Sequence, residues 1–377
     1  MLACDAGAKP ASQATAAASA TGVAPAPSAT PDWAGTQTAG PVGSLPLPTG
    51  SDGNWHLVEI LAGGDTLLLQ YVPEATSQEA RNQLSNRMAF YDVATGALRD
   101  FRQLNPGEQI GSHGSDDEFV VWTEIPIVDM SHRGWRMYAW DMSSQDVWEV
   151  AADSGVWLGS DRPHDPDVAL DKGRVAYVAL SRNATGLPRY DLRLADLHQR
   201  TTETLIVSEE TAQHWLTTPA LSGQTLVWID EWPGMSEQRP TILRMMDVST
   251  RESRALVSGD NVRQYPRVDR GWVVVSVDGN MQVINAATAE VESSWSATPA
   301  AASISVSFSD KVVAWAEEES GMAMAFRIAS GRVVELGGPL VGETQIKNGR
   351  LYWVRSTLHN TARATAYLEW VELLPQG

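Results

Sequence analysis

Phe119-VVWT-Glu124 and Leu226-VWI-Asp230 are short apolar strands built around a tryptophan, and the chain repeats them. The other copies are Leu67-LLQY-Val72, Val175-AYVA-Leu180, Val273-VVSV-Asp278, Val312-VAWA-Glu317 and Leu351-YWV-Arg355, which makes seven. β-Branched and aromatic residues crowd these segments, as they do in strands. All but the first follow a Gly or Asp turn signal, such as Asp171-Lys-Gly173 or Lys347-Asn-Gly349. A second strand comes after each, commonly with an Asp before a turn, as in Met88-AFYDVAT-Gly96, Met137-YAWDMS-Ser144 and Leu243-RMMDVS-Thr250. That carboxylate can accept hydrogen bonds from the backbone amides just beyond it. A third strand, as at Val147-WE-Val150, follows. A further strand, often introduced by proline (Pro166, Pro219, Pro266), leads into the next copy.

The spacing decides the architecture. Tyr71, Trp122, Tyr177, Trp228, Val275, Trp315 and Trp353 hold equivalent places, separated by 51, 55, 51, 47, 40 and 38 residues. Four short antiparallel strands in each roughly 40–55 residues make the blade of a β-propeller. No window carries apolar residues at helical spacing. The expected fold is all-β: a seven-bladed propeller of four-stranded antiparallel blades, with six or eight blades as the alternatives. The last copy reaches Leu374 with only three clear strands, so its fourth must come from elsewhere. Asn54-WHLVE-Ile60 either supplies it or serves as the inner strand of blade one.

Residues 5–53 are mostly Ala, Ser, Thr, Pro and Gly, with almost no large side chains. Such a stretch cannot bury enough surface to offset its ordering entropy, so 1–53 reads as a disordered linker and 54–377 as the propeller. The chain has 377 residues, 15 Trp against 5 Phe, and a net charge of −18. This acidity disfavours nucleic acid and anionic lipid as partners. Cys4 is the one cysteine, so no intramolecular disulfide can form, and the thiol-free body is compatible with an oxidising compartment.

Met1-Leu2-Ala3-Cys4 resembles the end of a bacterial lipobox, although Leu sits one place later than usual and the apolar region of a signal peptide is missing. The resemblance implies lipidation at Cys4 and an extracytoplasmic, envelope-anchored protein. The recurrent x-Pro-x-apolar-Ser/Asp-x-Gly pattern, followed by an aromatic-centred strand and then apolar-x-Asp, resembles the TolB-type propellers, best in blades two to four. Blade five, from Val268 to Trp295, resembles a quinoprotein-type repeat. Both families host binders and enzymes, so neither resemblance fixes a function.

Uneven loops point to a face. The connections from second to third strand are long in blades one to four and seven (73–87, 125–136, 181–189, 231–240 and 356–363), whereas blade five turns on Asp278-Gly279-Asn280. In a closed ring those five blades are contiguous, and function sits on elaborated loops above a rigid scaffold. Arg136, Arg182, Arg189, Trp135 and Trp232 lie on or beside these loops, and His164, His214 and Tyr265 lie before blade-leading strands on the same face. Arg and Trp together suit recognition of a protein or glycan. The reading is a monomeric, non-enzymatic binding or scaffold protein without a cofactor. The alternative is a metal-dependent polysaccharide lyase or hydrolase at the channel mouth, since the oligogalacturonate lyases, which this repeat resembles, hold a metal with channel histidines; here His113, His164 and His214 would be the candidates, offset differently from their strands. Metal-ligand spacing, a Gly-rich phosphate loop and a G-x-S-x-G elbow are all missing from the sequence. Expressed with its native upstream start, the protein should fractionate with membranes, and Cys4→Ser should release it; membrane association that survives the substitution rules out a lipid anchor there.

Overall fold

The computed structural model describes residues 43–50, 53–61, 63–126, 134–153, 166–182, 188–208, 214–232, 240–259, 262–296, 306–309, 311–317, 322–337, 341–356 and 366–373. These form seven four-stranded antiparallel sheets. Blades one to six run in chain order over 53–103, 108–153, 168–207, 215–259, 262–296 and 306–337. Each opens with its innermost strand and works outward. The third and outer strands are offset by a bulge in all six of these blades. A bulge adds local twist, which splays the outer strand as a propeller blade requires.

Each seam between blades buries its own apolar cluster. Tyr71, Trp122, Tyr177, Trp228, Val275, Trp315 and Trp353 all occupy the second strand of their blade, all are buried, and each belongs to a different cluster. Seven seams are therefore filled by seven equivalent residues. The turn chemistry is equally regular. Asp92, Asp141, Asp196, Asp247 and Asn285 each accept a backbone amide at 2.7–2.9 Å from the turn that follows. Hydrogen bonds from Ser143 and Ser144 hold the Asp141 carboxyl down at about 2. In blade five, Asp278 and Gly279 both have positive φ (49° and 80°), the two-residue hairpin geometry that Asp-Gly favours.

The aspartates between inner and second strands also link blades. Asp116 accepts the Gly173 amide at 2.7 Å, and Asp171 accepts the Gly223 amide at 2.7 Å, each in the next blade.

Ring closure settles the role that the sequence left open for 54–60 and shortens the linker. Asn54-WHLVE-Ile60 lies in the inner strand of blade one, Gly53–Ile60, and does not close the ring. The outer strand of blade seven is Gly43–Pro46, inside the stretch that composition assigns to the linker. It pairs antiparallel with Ala366–Glu372, Gly43 opposite Trp370 and Pro46 opposite Tyr367. Leu47 continues it, donating to the Ala366 carbonyl at 2.8 Å and burying its side chain in the cluster between blades seven and one. A Cβ at position 43 would overlap the Trp370 indole, so glycine is needed there. Four residues carrying one Gly and one Pro show no alternation long enough to be read as a strand. Removing residues 1–42 should leave the melting temperature unchanged, whereas removing 1–48 should lower it sharply. Leu47→Ala should cost about 2–4 kcal/mol in denaturant unfolding.

Candidate functional site

A tryptophan buried in a seam brings an indole N–H that needs an acceptor. The structure supplies one in three seams. Trp122 Nε1 donates to Glu124 at 3.0 Å, Trp228 Nε1 to Asp230 at 2.8 Å, and Trp353 Nε1 to Glu369 at 2.8 Å. Glu124 and Asp230 lie two residues beyond their tryptophan, hence on the same strand face; Glu369 lies directly opposite Trp353. In a fourth seam Asp191 stands opposite Ala179, two residues beyond Tyr177.

A buried carboxylate in turn needs a cation. Arg102 reaches from the outer strand of blade one to grip Glu124 with two nitrogens. Arg189 and Arg193 both hold Asp191, at 2.9 and 3.0 Å; Arg244 holds Asp230; Arg355 holds Glu369 at 2.7 Å. In the seam between blades seven and one, Arg87 lies over Trp55 and Tyr71, 5.3 and 4.8 Å from the ring centroids. Arg102 lies 4.1 Å from the Tyr138 ring and Arg355 4.8 Å from the Tyr367 ring. The capped seams are consecutive, from six/seven through three/four. Their guanidinium side chains remain 18–41% exposed. The caps sit toward the rim of the second-to-third loops, because Glu124 and Asp230 fall near the ends of their second strands, Phe119–Pro126 and Thr225–Glu231. Of those loops, 73–87 is described and carries a helix, Gln78–Gln83. The tips of the other four lie outside the described residues.

The expected site residues divide. Arg136 pairs with Glu108, and Arg189 belongs to the Asp191 cap. Trp135 and His214, assigned from the sequence to a recognition face, are instead buried. Trp135 packs edge-on against Tyr177 at 6.2 Å, because an indole opening a third strand faces the neighbouring sheet. His214 sits 3.4 Å from Asp230 and stacks on Trp232 at 4.9 Å, so Trp232 is drawn to the seam rather than outward. Arg182 ends the strand Arg174–Arg182, but its side chain, like that of Tyr265, and all of His164 and Cys4 lie outside the described residues. Of the two candidate histidines among the described residues, His113 lines the channel and His214 caps a seam, so these two do not come together. Among the described residues no group of three His, Cys, Asp or Glu stands close enough to hold a metal ion.

The channel carries a second polar group that the sequence reading missed. Glu59, one residue from the end of blade one's inner strand, lies 3.2 Å from His113 Nδ1 of blade two and 3.6 Å from Lys347 Nζ of blade seven. Lys347 also donates to the Ser115 carbonyl at 2.6 Å and to its hydroxyl at 3.0 Å, spanning blade one to reach blade two. Gln345 adds a bond from the Ile60 amide at 3.2 Å. Burial pushes the Glu59 carboxyl up, but Lys347, His113 and Ser115 outweigh it and hold the group below the usual carboxylate range. Burial likewise raises Asp230, and bonds from His214, Arg244 and Trp228 bring it below its ordinary value. Arg102, Arg193, Arg244 and Arg355 were also missed. The available signal was Trp-x-Glu/Asp at Trp122 and Trp228, since an acid two residues beyond a buried indole shares its face and needs a partner.

No protein-family model and no curated protein matches this chain in sequence. Solved structures match it in fold. A prolyl endopeptidase structure aligns at TM-score 0.57 and 11% identity, over 86% of this chain and 50% of that one. BamB from Moraxella catarrhalis aligns at TM-score 0.46 and 12% identity, over 82% and 83% of the two chains. TolB from Acinetobacter baumannii aligns at TM-score 0.41 and 15% identity, over 78% of each. The chain is a β-propeller. It spans half the length of the prolyl endopeptidase chain, and at these identities the likeness is one of fold.

A depressed carboxylate pKa contributes stability that is present above the unfolded-state value near about 4 and is lost as pH falls through the folded value. Glu59→Gln should therefore lower stability at pH 7 by about 1–3 kcal/mol. Followed by denaturant unfolding, that difference should shrink as the medium is acidified and wild-type Glu59 also becomes protonated.

Proposed function

We propose that this propeller is a non-enzymatic binding or scaffold module outside the cytoplasm, engaging a protein partner along the rim of the second-to-third loops. The observation that carries the reading is the run of arginine caps over five consecutive seams. Each inner edge is fixed by a buried carboxylate or an aromatic face, and each outer edge is left part-exposed. Arg fixed in this way is preorganised, so little side-chain entropy is lost when a partner docks. Four of the five caps pair cation with carboxylate and add little net charge. Their attraction is therefore directional: planar N–H donors suit carboxylates and backbone carbonyls of an opposing protein surface, and the ring faces beside them suit its apolar side chains. The thiol-free body and the Ala/Ser/Thr/Pro-rich stretch after Cys4 support a tethered protein in an oxidising compartment.

Lysine keeps the charge beside each buried carboxylate but loses the planar fork. The triple variant Arg102→Lys, Arg193→Lys, Arg244→Lys should therefore fold with a nearly unchanged melting temperature. In quantitative crosslinking pull-downs from the native envelope, it should recover the wild-type partner at least tenfold less well. Equal recovery by the folded variant removes the rim as the binding face.

A further inference from the structure

The central cavity, about 590 Å³, is lined by the inner strands of all seven blades. Ligand pockets commonly span about 300–1,000 Å³. Its wall is not uniform. Blades seven, one and two bring Glu59, His113, Lys347 and Gln345 with the hydroxyls of Ser112 and Ser115; blades three to six bring Leu170, Leu221 and Phe308, with Asp167 and Arg267 among them.

The charges in this cavity balance, Glu59 and Asp167 against Lys347 and Arg267. The cations are also engaged by the protein itself, Lys347 with Ser115 and Glu59, and Arg267 Nε with the Val306 carbonyl at 2.7 Å. Such a lining offers hydrogen-bonding groups at near-zero net charge. A charged ligand would have to be desolvated here without a counter-charge, which is costly; a neutral one would not.

Gly114 adds an independent observation. It lies inside the inner strand Glu108–Ser115, where glycine weakens a strand. Its φ is not left-handed, and a Cβ placed there would meet nothing closer than Leu170 Cβ at 3.8 Å, ordinary contact. Neither backbone conformation nor packing requires glycine at this position. Its effect is to keep the channel wall bare between the polar group and Leu170.

We infer that the channel is a binding site for a small, uncharged, polyhydroxylated ring molecule of monosaccharide size, its hydroxyls toward Glu59, His113 and Ser115 and its C–H face toward Phe308 and Leu170. This site is separate from the arginine rim. Its polar end lies at the close of the inner strands, since Ser115 and Lys347 are the last residues of theirs, whereas the caps lie at the other rim.

The test is titration calorimetry and saturation-transfer NMR on the full chain with D-glucose and myo-inositol, and with glucuronate and glucosamine as charged analogues. Saturable binding is expected for at least one neutral probe, at least tenfold tighter than for either charged analogue. Gly114→Val should weaken it at least tenfold without lowering the melting temperature. Gly114→Ala, whose single methyl has room, should weaken it less and provides the comparison if the valine variant does not fold. Absence of saturable binding by both neutral probes overturns the inference, as does preference for a charged analogue or unchanged binding in a folded Gly114 variant. None of these outcomes bears on partner recovery through the arginine rim.

Discussion

A ring of sheets has no free end at which to relieve a misfit, so every blade must bury one face against its neighbour and the last seam must be made by residues far apart in the chain. Seven second-strand residues, six of them aromatic and the seventh Val275, meet the first demand, one in each seam. Burial of side chains of this size supplies most of the apolar stabilisation available to a protein divided among blades. The second demand falls on Gly43–Pro46 and Leu47, which complete blade seven, and on Lys347, which ties the inner ends of blades seven, one and two.

Filling a seam with tryptophan has a chemical consequence. The indole N–H must be satisfied, the carboxylate that satisfies it must be neutralised, and the guanidinium that neutralises it is long enough to reach the surface. Each seam packed with tryptophan thus tends to end in an arginine. The seam between blades four and five, packed by Val275 and followed by Val277, poses no such demand. Use of an aromatic with a polar handle accounts for part of the rim's asymmetry; the seam between blades five and six, packed by Trp315, has no arginine cap among the described residues. A packing requirement of the fold and the surface proposed for recognition are the same set of side chains.

The channel shows the opposite economy. Seven inner strands could close it with bulky side chains, as Leu170, Leu221 and Phe308 begin to do, yet blade two contributes Gly111, Ser112, Gly114 and Ser115. The polar group at its end is tied into inter-blade bonds, which makes the floor of the cavity part of the ring closure. Changes in the ionisation of Glu59 would consequently be felt both as stability and as cavity chemistry.

What the sequence determined by itself was whatever repeats. Strand periodicity, turn residues and the spacing of Tyr71, Trp122, Tyr177, Trp228, Trp315 and Trp353 recur every blade, and local chemistry in each copy points to the same answer. Loop length and arginine content in blades one to four and seven are likewise local properties that the sequence carries by itself. Where those arginines end up is not. Arg136 and Arg189 turn to Glu108 and Asp191 of their own blades, His214 is buried against Asp230 and Trp232 of its own blade, and Trp135 is buried against Tyr177 of the next, contacts that only the assembled sheets supply. Tertiary structure alone decided the closing strand and the Glu59–His113–Lys347 group. Glu59 and Lys347 are 288 residues apart in sequence (347 less 59), and Gly43–Pro46 becomes a strand only against Ala366–Glu372. A contact made by closing a ring leaves no periodic trace in either segment, since each half reads as an ordinary strand end or linker until the other arrives.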